Sequence, residues 1–188
     1  MAVAVINTNL INGEVIVSNY KQGVKLIAHF TKLPPGKHGF HIHKAGDLRG
    51  EGCKGLCEHY DIGHNCHGGP RSKEKHTGDL GNIEFGPKKT YYIKNISVKD
   101  LWGRSIIVHE DEDDLGKGGF EDSKITGHSG KRIGCGIFGR TTVHGRTTVH
   151  GRTSVHGRTV VHGRTTLKKH KTYKPHTKHK THKTHKYT

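Results

Sequence analysis

The chain is expected to fold as an all-β protein, an antiparallel sandwich or barrel of about eight short strands. Short apolar runs, several with period-two alternation, recur from residue 2 to residue 138. Turn formers separate them at close spacing, and no stretch holds a convincing helical period. A length of 188 residues suits one ordinary core plus an appendage.

The runs, in chain order, are Ala2 to Ile6, Glu14 to Val17, Val24 to Phe30, Gly39 to His43, Asn82 to Phe85, Tyr91 to Ile93, Arg104 to His109 and Ile133 to Phe138. Between them stand Asn12-Gly13, Gln22-Gly23, Pro34-Pro35-Gly36, Gly81-Asn82 and Gly86-Pro87, residues that set turns. Two Gly-rich connections are much longer than a turn, Lys44 to about Asp79 and Glu110 to Lys131. Connections of that length inside a compact domain usually carry function, so the chemistry is expected there.

The formal charge of +16 is unevenly placed. From Arg140 onward there is no Asp or Glu, and that segment holds 13 of the 32 Lys and Arg, leaving 19 against 16 acidic residues before it. The body is electrically ordinary, and the basic excess belongs to the tail. The chain is therefore read as two parts, a domain over residues 1–139 and a low-complexity, His-rich tail over 140–188. The tail opens on four copies of an Arg-Thr-Thr-Val-His-Gly-like unit, starting at Arg140, Arg146, Arg152 and Arg158. One or two apolar residues in six cannot offset the cost of ordering a backbone, so the tail is expected to be disordered. Its nine histidines and 13 fixed cations allow weak metal capture and weak polyanion binding, neither read as the main function.

No run of eighteen apolar residues occurs, and the opening MAVAVINTNLING is soon broken by Asn and Gly. The expectation is a soluble, cytoplasmic protein without a membrane segment. Four cysteines, Cys53, Cys57, Cys66 and Cys135, allow three full pairings, and in a reducing compartment free thiols are the default.

Histidines two apart on a strand point to one face, so His41 and His43 can aim two imidazole nitrogens at one metal. The first long loop adds His59, His67 and His76, with Asp79 three residues later, and His109 closes another strand. Nitrogen ligands with one carboxylate suit tetrahedral zinc, whereas an all-imidazole set with an open position suits redox-active copper.

These residues lie in longer motifs: Gly39-Phe40-His41-Ile42-His43, His67-Gly68-Gly69-Pro70, His76-Thr77-Gly78-Asp79-Leu80-Gly81-Asn82, Ile107-Val108-His109-Glu110, Asp113-Asp114-Leu115-Gly116-Lys117-Gly118-Gly119 and Arg132-Ile133-Gly134-Cys135-Gly136. In this order they resemble the copper/zinc superoxide dismutases, over about residues 2–139. The resemblance implies an eight-stranded Greek-key barrel of immunoglobulin-like sandwich form. It implies copper on His41, His43, His59 and His109, and zinc on His59, His67, His76 and Asp79, with His59 shared. It further implies that Asp113 orients His41 and His67, that Arg132 guides a small anion to the copper, and that Cys53 and Cys135 form a disulfide, against the cytosolic default. Cys57 and Cys66 have no counterpart and are read first as free thiols, with a second disulfide or competition for Cys135 as the lesser readings. His29, His38, His64 and His128 fall outside the motifs and are read as ordinary polar histidines. Ile125 stands where a steering lysine is common, and Lys44-Ala45 where an acid and an aromatic are common.

The activity so implied is conversion of superoxide to dioxygen and hydrogen peroxide, with copper as the redox metal and zinc structural. The implied partners are the superoxide anion, a second copy of the chain meeting it around Gly46 to Gly52 and Ile137 to Phe138, and a copper donor. Two other readings use the same barrel, copper delivery and a scaffold for a nucleic-acid-binding tail. Removing residues 140–188 separates the scaffold reading from the enzyme: the shortened chain should still be active in a superoxide-decay assay, and a shortened chain that folds but shows no activity would count against the enzyme.

Overall fold

The computed structural model describes residues 1–49 and 52–142. The disorder expected of the tail therefore lies outside the described residues from position 143 onward. The strands are β1 (Ala2–Asn7), β2 (Asn12–Tyr20), β3 (Gly23–Lys32), β4 (His38–His43), β5 (Asp79–Ile83), β6 (Lys89–Lys94), β7 (Ser105–His109), β8 (Arg132–Ile137) and the two-residue β9 (Gly139–Arg140). They form two antiparallel sheets, one in the order β6-β3-β2-β1-β9 and the other β5-β4-β7-β8. The eight expected strands are all present. Three single turns of helix, Lys54–Leu56, Val98–Leu101 and Ser123–Thr126, are too short to leave a helical period in the sequence.

Alternation explains the first sheet. In β3, Val24, Leu26, Ala28 and Phe30 are buried while Lys25, Ile27 and His29 are partly exposed. Val15 and Val17 of β2 and Ala2, Ala4 and Ile6 of β1 join the same inner face. The second sheet does not alternate: every residue of β4 and every residue of β7 is buried. Phe40, Ile42, Ile106 and Val108 enter the core between the sheets. Their neighbours point the opposite way, under the two long loops, where Ile107 packs with Cys53 and Leu56. A strand covered on both faces has room for polar side chains only if they are satisfied there. His41, His43 and His109 occupy that outer face.

Two expectations shift. The fifth strand runs from Asp79 to Ile83 rather than from Asn82 to Phe85, because β5 pairs His41 with Asp79 and His38 with Ile83. Phe85 lies beyond it and is exposed. Phe138, expected near a contact between subunits, is 1% exposed and belongs to the core, since the chain passes there from β8 in one sheet to β9 in the other.

Cys53 and Cys135 form a disulfide that ties the first long loop to β8 across 82 residues of sequence. Cys57 and Cys66 are free and exposed. In the chain-entropy account a loop of this length stabilises by about 4.5 kcal/mol. Replacing both cysteines, Cys53→Ser with Cys135→Ser, should lower the unfolding free energy by roughly 3–5 kcal/mol. Denaturant unfolding of metal-free protein measures it.

Candidate metal centre

Three chain segments meet over the outer face of β4. That strand supplies His41 and His43, β7 supplies His109, and the first long loop supplies His59, His67 and His76. A β-bridge between His43 and His59 pins the loop to the strand, and the N–H of Tyr60 donates to the carbonyl of Ile42 at 2.7 Å. The N–H of Gly78 donates in turn to the carbonyl of Tyr60 at 2.7 Å. His59 is thereby held beside His41, with ring centroids 4.2 Å apart.

Two overlapping groups of donors result. In each of the groups His41, His43, His59, His109 and His41, His59, His67, Asp79, one ligand atom per residue lies within 4.8 Å of all the others. The first is the expected copper set. The second shares His59, His67 and Asp79 with the expected zinc set but has His41 in place of His76. His76 is nevertheless adjacent, its Nδ1 being 3.3 Å from His59 Nδ1 and 3.3 Å from Asp79 Oδ1. The structure thus brings all the expected ligands together, with His41 near both groups.

Hydrogen bonds on the far side of each ring decide which nitrogen is left for a metal. His41 Nε2 meets Asp113 Oδ2 at 2.9 Å, and His67 Nε2 meets Asp113 Oδ1 at 2.8 Å. His43 Nδ1 faces the carbonyl of Cys57 at 2.9 Å, and His109 Nδ1 that of Gly130 at 3.3 Å. Each of these nitrogens donates, so in the neutral, ligating ring its partner across the ring carries the lone pair. Those partners are His41 Nδ1, His43 Nε2, His67 Nδ1 and His109 Nε2, and none has a hydrogen-bond partner. His59 Nε2 is likewise without one. Buried polar atoms are normally paired, so five convergent orphans fit metal ions as the intended partners.

Zinc fits the carboxylate side. His59, His67 and His76 place their Nδ1 atoms 2.8, 3.0 and 3.3 Å from Asp79 Oδ1. The 3.0 Å contact of His67 is not aligned as a hydrogen bond. Ligands about 2.0 Å from a tetrahedral metal lie roughly 3.3 Å from one another. The all-histidine group, with no charged ligand, fits copper.

Electrostatics agree with this division. Burial holds His43 well below its ordinary pKa, His59 down to about 3 and His109 down to about 2, so these rings are neutral and able to ligate. His67 behaves oppositely: burial opposes its charge, but the Asp113 hydrogen bond and the negative charge of Asp79 beside it outweigh that and raise the pKa to about 9. A cation between His67 and Asp79 would take the place of that proton. Burial also opposes ionisation of Asp79 and Asp113, yet the histidines around them hold both carboxyls well below the usual range.

Arg132 opens β8 at the rim. One guanidinium nitrogen donates to the carbonyls of Cys53 and Lys54 at 2.8 and 3.3 Å, and another to that of Cys57 at 2.6 Å. Arg132 stands opposite His109 in the β7–β8 pairing and shares the Cys57 carbonyl with His43 Nδ1, which places it beside the all-histidine group.

Three contributors were given no part in the site by the sequence. His38, read as an ordinary polar histidine, is 4% exposed. Its Nδ1 faces the carbonyls of His109 and Glu110, both at 3.0 Å, and Nε2 that of Pro34 at 3.2 Å, so it pins the end of β7. Asn82 donates to the Asp113 carbonyl at 2.9 Å and accepts from the Asp113 N–H at 2.7 Å. Gly127, at φ +71°, leaves no space for a Cβ beside Asp113 and His67. The glycine was visible in the sequence, but its neighbours were not.

A two-sheet β-sandwich with two adjoining donor sets on one outer face has the donors of a dinuclear metal site. The chain belongs to the copper/zinc superoxide dismutase family, whose family model matches residues 11–138. It is 47% identical over 113 residues to the copper chaperone for superoxide dismutase of Mus musculus, covering 58% of this chain and 41% of that protein. To superoxide dismutase [Cu-Zn] 5 of Dictyostelium discoideum it is 40% identical over 148 residues, covering 72% of this chain and 95% of that protein. The crystal structure of the clock protein EA4 superimposes with a TM-score of 0.69 at 36% identity, covering 73% of this chain and 92% of that one. Among the described residues no helix is long and apolar enough to cross a membrane.

The two donor sets should separate by mutation. His109→Ala should remove copper from the all-histidine group and leave zinc bound. His76→Ala should weaken zinc by roughly 10-fold or more and leave copper. Metal analysis after equilibration with a competing chelator checks both, and equal loss of both metals in each variant would contradict the division.

Proposed function

We propose that the protein is a superoxide dismutase that consumes two superoxide anions and two protons and yields one dioxygen and one hydrogen peroxide. The observation that carries this reading is the set of unpartnered nitrogens on His41, His43, His59 and His109 with Arg132 beside them. Copper, held by those four histidines, would supply the one-electron chemistry in both directions. Zinc, held by His59, His67, His76 and Asp79, would serve structure by fixing the first loop. Domain limits of 1–139 for the barrel and 140–188 for the tail go with this reading.

The protein side chains bind and orient. Arg132 is fixed by three backbone carbonyls, and two of its nitrogens make those bonds, so its position is set before an anion arrives. A fixed cation at the rim of a low-dielectric cleft attracts a small anion and turns it toward the histidines. His59 has an unpartnered Nε2 on one side and Nδ1 against Asp79 on the other. It is the ring able to hold a proton at Nε2 while its other side stays anchored. Ile125 is 61% exposed and adds no charge, so steering falls more heavily on Arg132.

A homodimer, a copper donor and a cytoplasmic location complete the proposal. Val5 and Leu48 are exposed at 60% and 52%, apolar surface of the kind a pairing contact would cover. The match to a copper chaperone supports a second reading, copper delivery by the same barrel. Sustained turnover of superoxide by the purified, metal-loaded full chain separates the two, since delivery needs transfer and no turnover.

Arg132→Glu should keep copper and zinc content and lower the superoxide-decay rate by about 10- to 100-fold, while Arg132→Lys retains much of it. The native rate should approach about 10⁸ to 10⁹ M⁻¹s⁻¹ and fall with salt, because the field is screened over about 10 Å at 0.1 M. Full activity of the charge-reversed chain with normal metals would remove Arg132 from this role.

A further inference from the structure

The first long loop carries three expected zinc ligands on separate stretches, and its irregular backbone must satisfy its N–H groups without a sheet or helix. The Asp61 carboxylate sits where these stretches meet. Its Oδ1 accepts from the Thr77 N–H at 3.1 Å, the Thr77 hydroxyl at 3.2 Å and the Gly63 N–H at 3.2 Å. Its Oδ2 accepts from the Asn65 N–H at 2.6 Å, and the Asn65 side-chain amide lies 3.4 Å from both oxygens. The Thr77 hydroxyl also accepts from the Ile62 N–H at 3.2 Å, which closes the ring of contacts.

Position along the chain turns this from a local turn into a device. Asp61 is two residues after His59, Asn65 is two before His67, and Thr77 directly follows His76. One carboxylate therefore ties together the backbone beside each of the three histidines. We propose that Asp61 is a positioning residue of the zinc centre, holding His59, His67 and His76 at ligating separations without touching the metal itself. The inference rests on the zinc reading given above. Both Asp61 oxygens are already occupied by donors, and neither donor group includes it. Its effect runs through preorganisation: a loop already closed loses less freedom when it takes up an ion. Outer partners of this kind commonly set metal affinity as strongly as a ligand's own chemistry.

The test uses the full chain, with cobalt(II) as the probe for the zinc set. Its visible absorption in tetrahedral surroundings distinguishes this site from the tail histidines, and the shift of that absorption to higher cobalt concentration in His76→Ala assigns it to the zinc set. Copper(II), titrated separately, reads the all-histidine set. Asp61→Ala should weaken cobalt binding by roughly 10- to 100-fold, while copper affinity and the melting temperature of the metal-free protein stay native. Asp61→Asn, whose amide oxygen still accepts the three Oδ1 bonds but whose NH2 faces the Asn65 N–H, should recover part of the loss and bind cobalt more tightly than Asp61→Ala. Native cobalt affinity in Asp61→Ala would overturn the inference and leave the zinc reading standing. Parallel loss of cobalt, copper and metal-free stability would also overturn it, since Asp61 would then serve the fold at large. Absence of a tetrahedral cobalt signal in the native chain would remove the zinc reading and this inference with it.

Discussion

The Asp113 carboxylate is where the barrel and both long loops meet. One oxygen takes the hydrogen bond of His41 from β4, the other that of His67 from the first loop, and Asp113 itself belongs to the second loop. Both carboxylate and rings are buried, so each contact is strong and the loss of any one would leave a buried group unpaired. Asn82 on β5 grips the backbone of Asp113 from the other side. Three segments distant in sequence are thereby locked into one arrangement, and the free nitrogens of His41 and His67 are aimed as a consequence.

That arrangement depends on a sheet whose outer face is not solvated. A sheet packed on one side would show alternation, with polar residues facing water. Here β4 and β7 are buried throughout, because the loops cover what the core does not. The disulfide from Cys53 to Cys135 fastens the first loop, with its Leu56, down over Ile107. Its neighbours Cys53, Lys54 and Cys57 supply the carbonyls that hold Arg132. The Cys57 carbonyl also receives His43 Nδ1, so one short stretch of loop orients both a candidate ligand and the cation above it.

Much of this was legible in the sequence. Alternation in β3 and the turn pairs between strands predicted an antiparallel all-β fold, because a two-residue period survives wherever one face is buried. The spacing of His41 and His43 placed both on one face of a strand, a consequence of pleating alone. The longer motifs carried the family resemblance and, with it, the pairing of Cys53 with Cys135 that the described structure contains. The separate character of the tail was also plain, since a run without a single acidic residue is a property of composition.

What only the tertiary structure decided is the second side of each residue. Histidine gives no sign in sequence of which nitrogen is free, and that choice fell to Asp113, the Cys57 carbonyl and the Gly130 carbonyl, all remote along the chain. His38 read as an ordinary polar side chain, yet burial against the end of β7 made it a clamp. Asp61 and Asn82 read as loop and strand-edge residues, and only folding brought them to the backbones they hold. Phe138 closed an expected strand and lay in the expected subunit contact, but the step from β8 to β9 put it in the core. Local patterning reports which face of a strand is apolar; what covers the opposite face depends on contacts between distant segments, and short-range periodicity carries no trace of them.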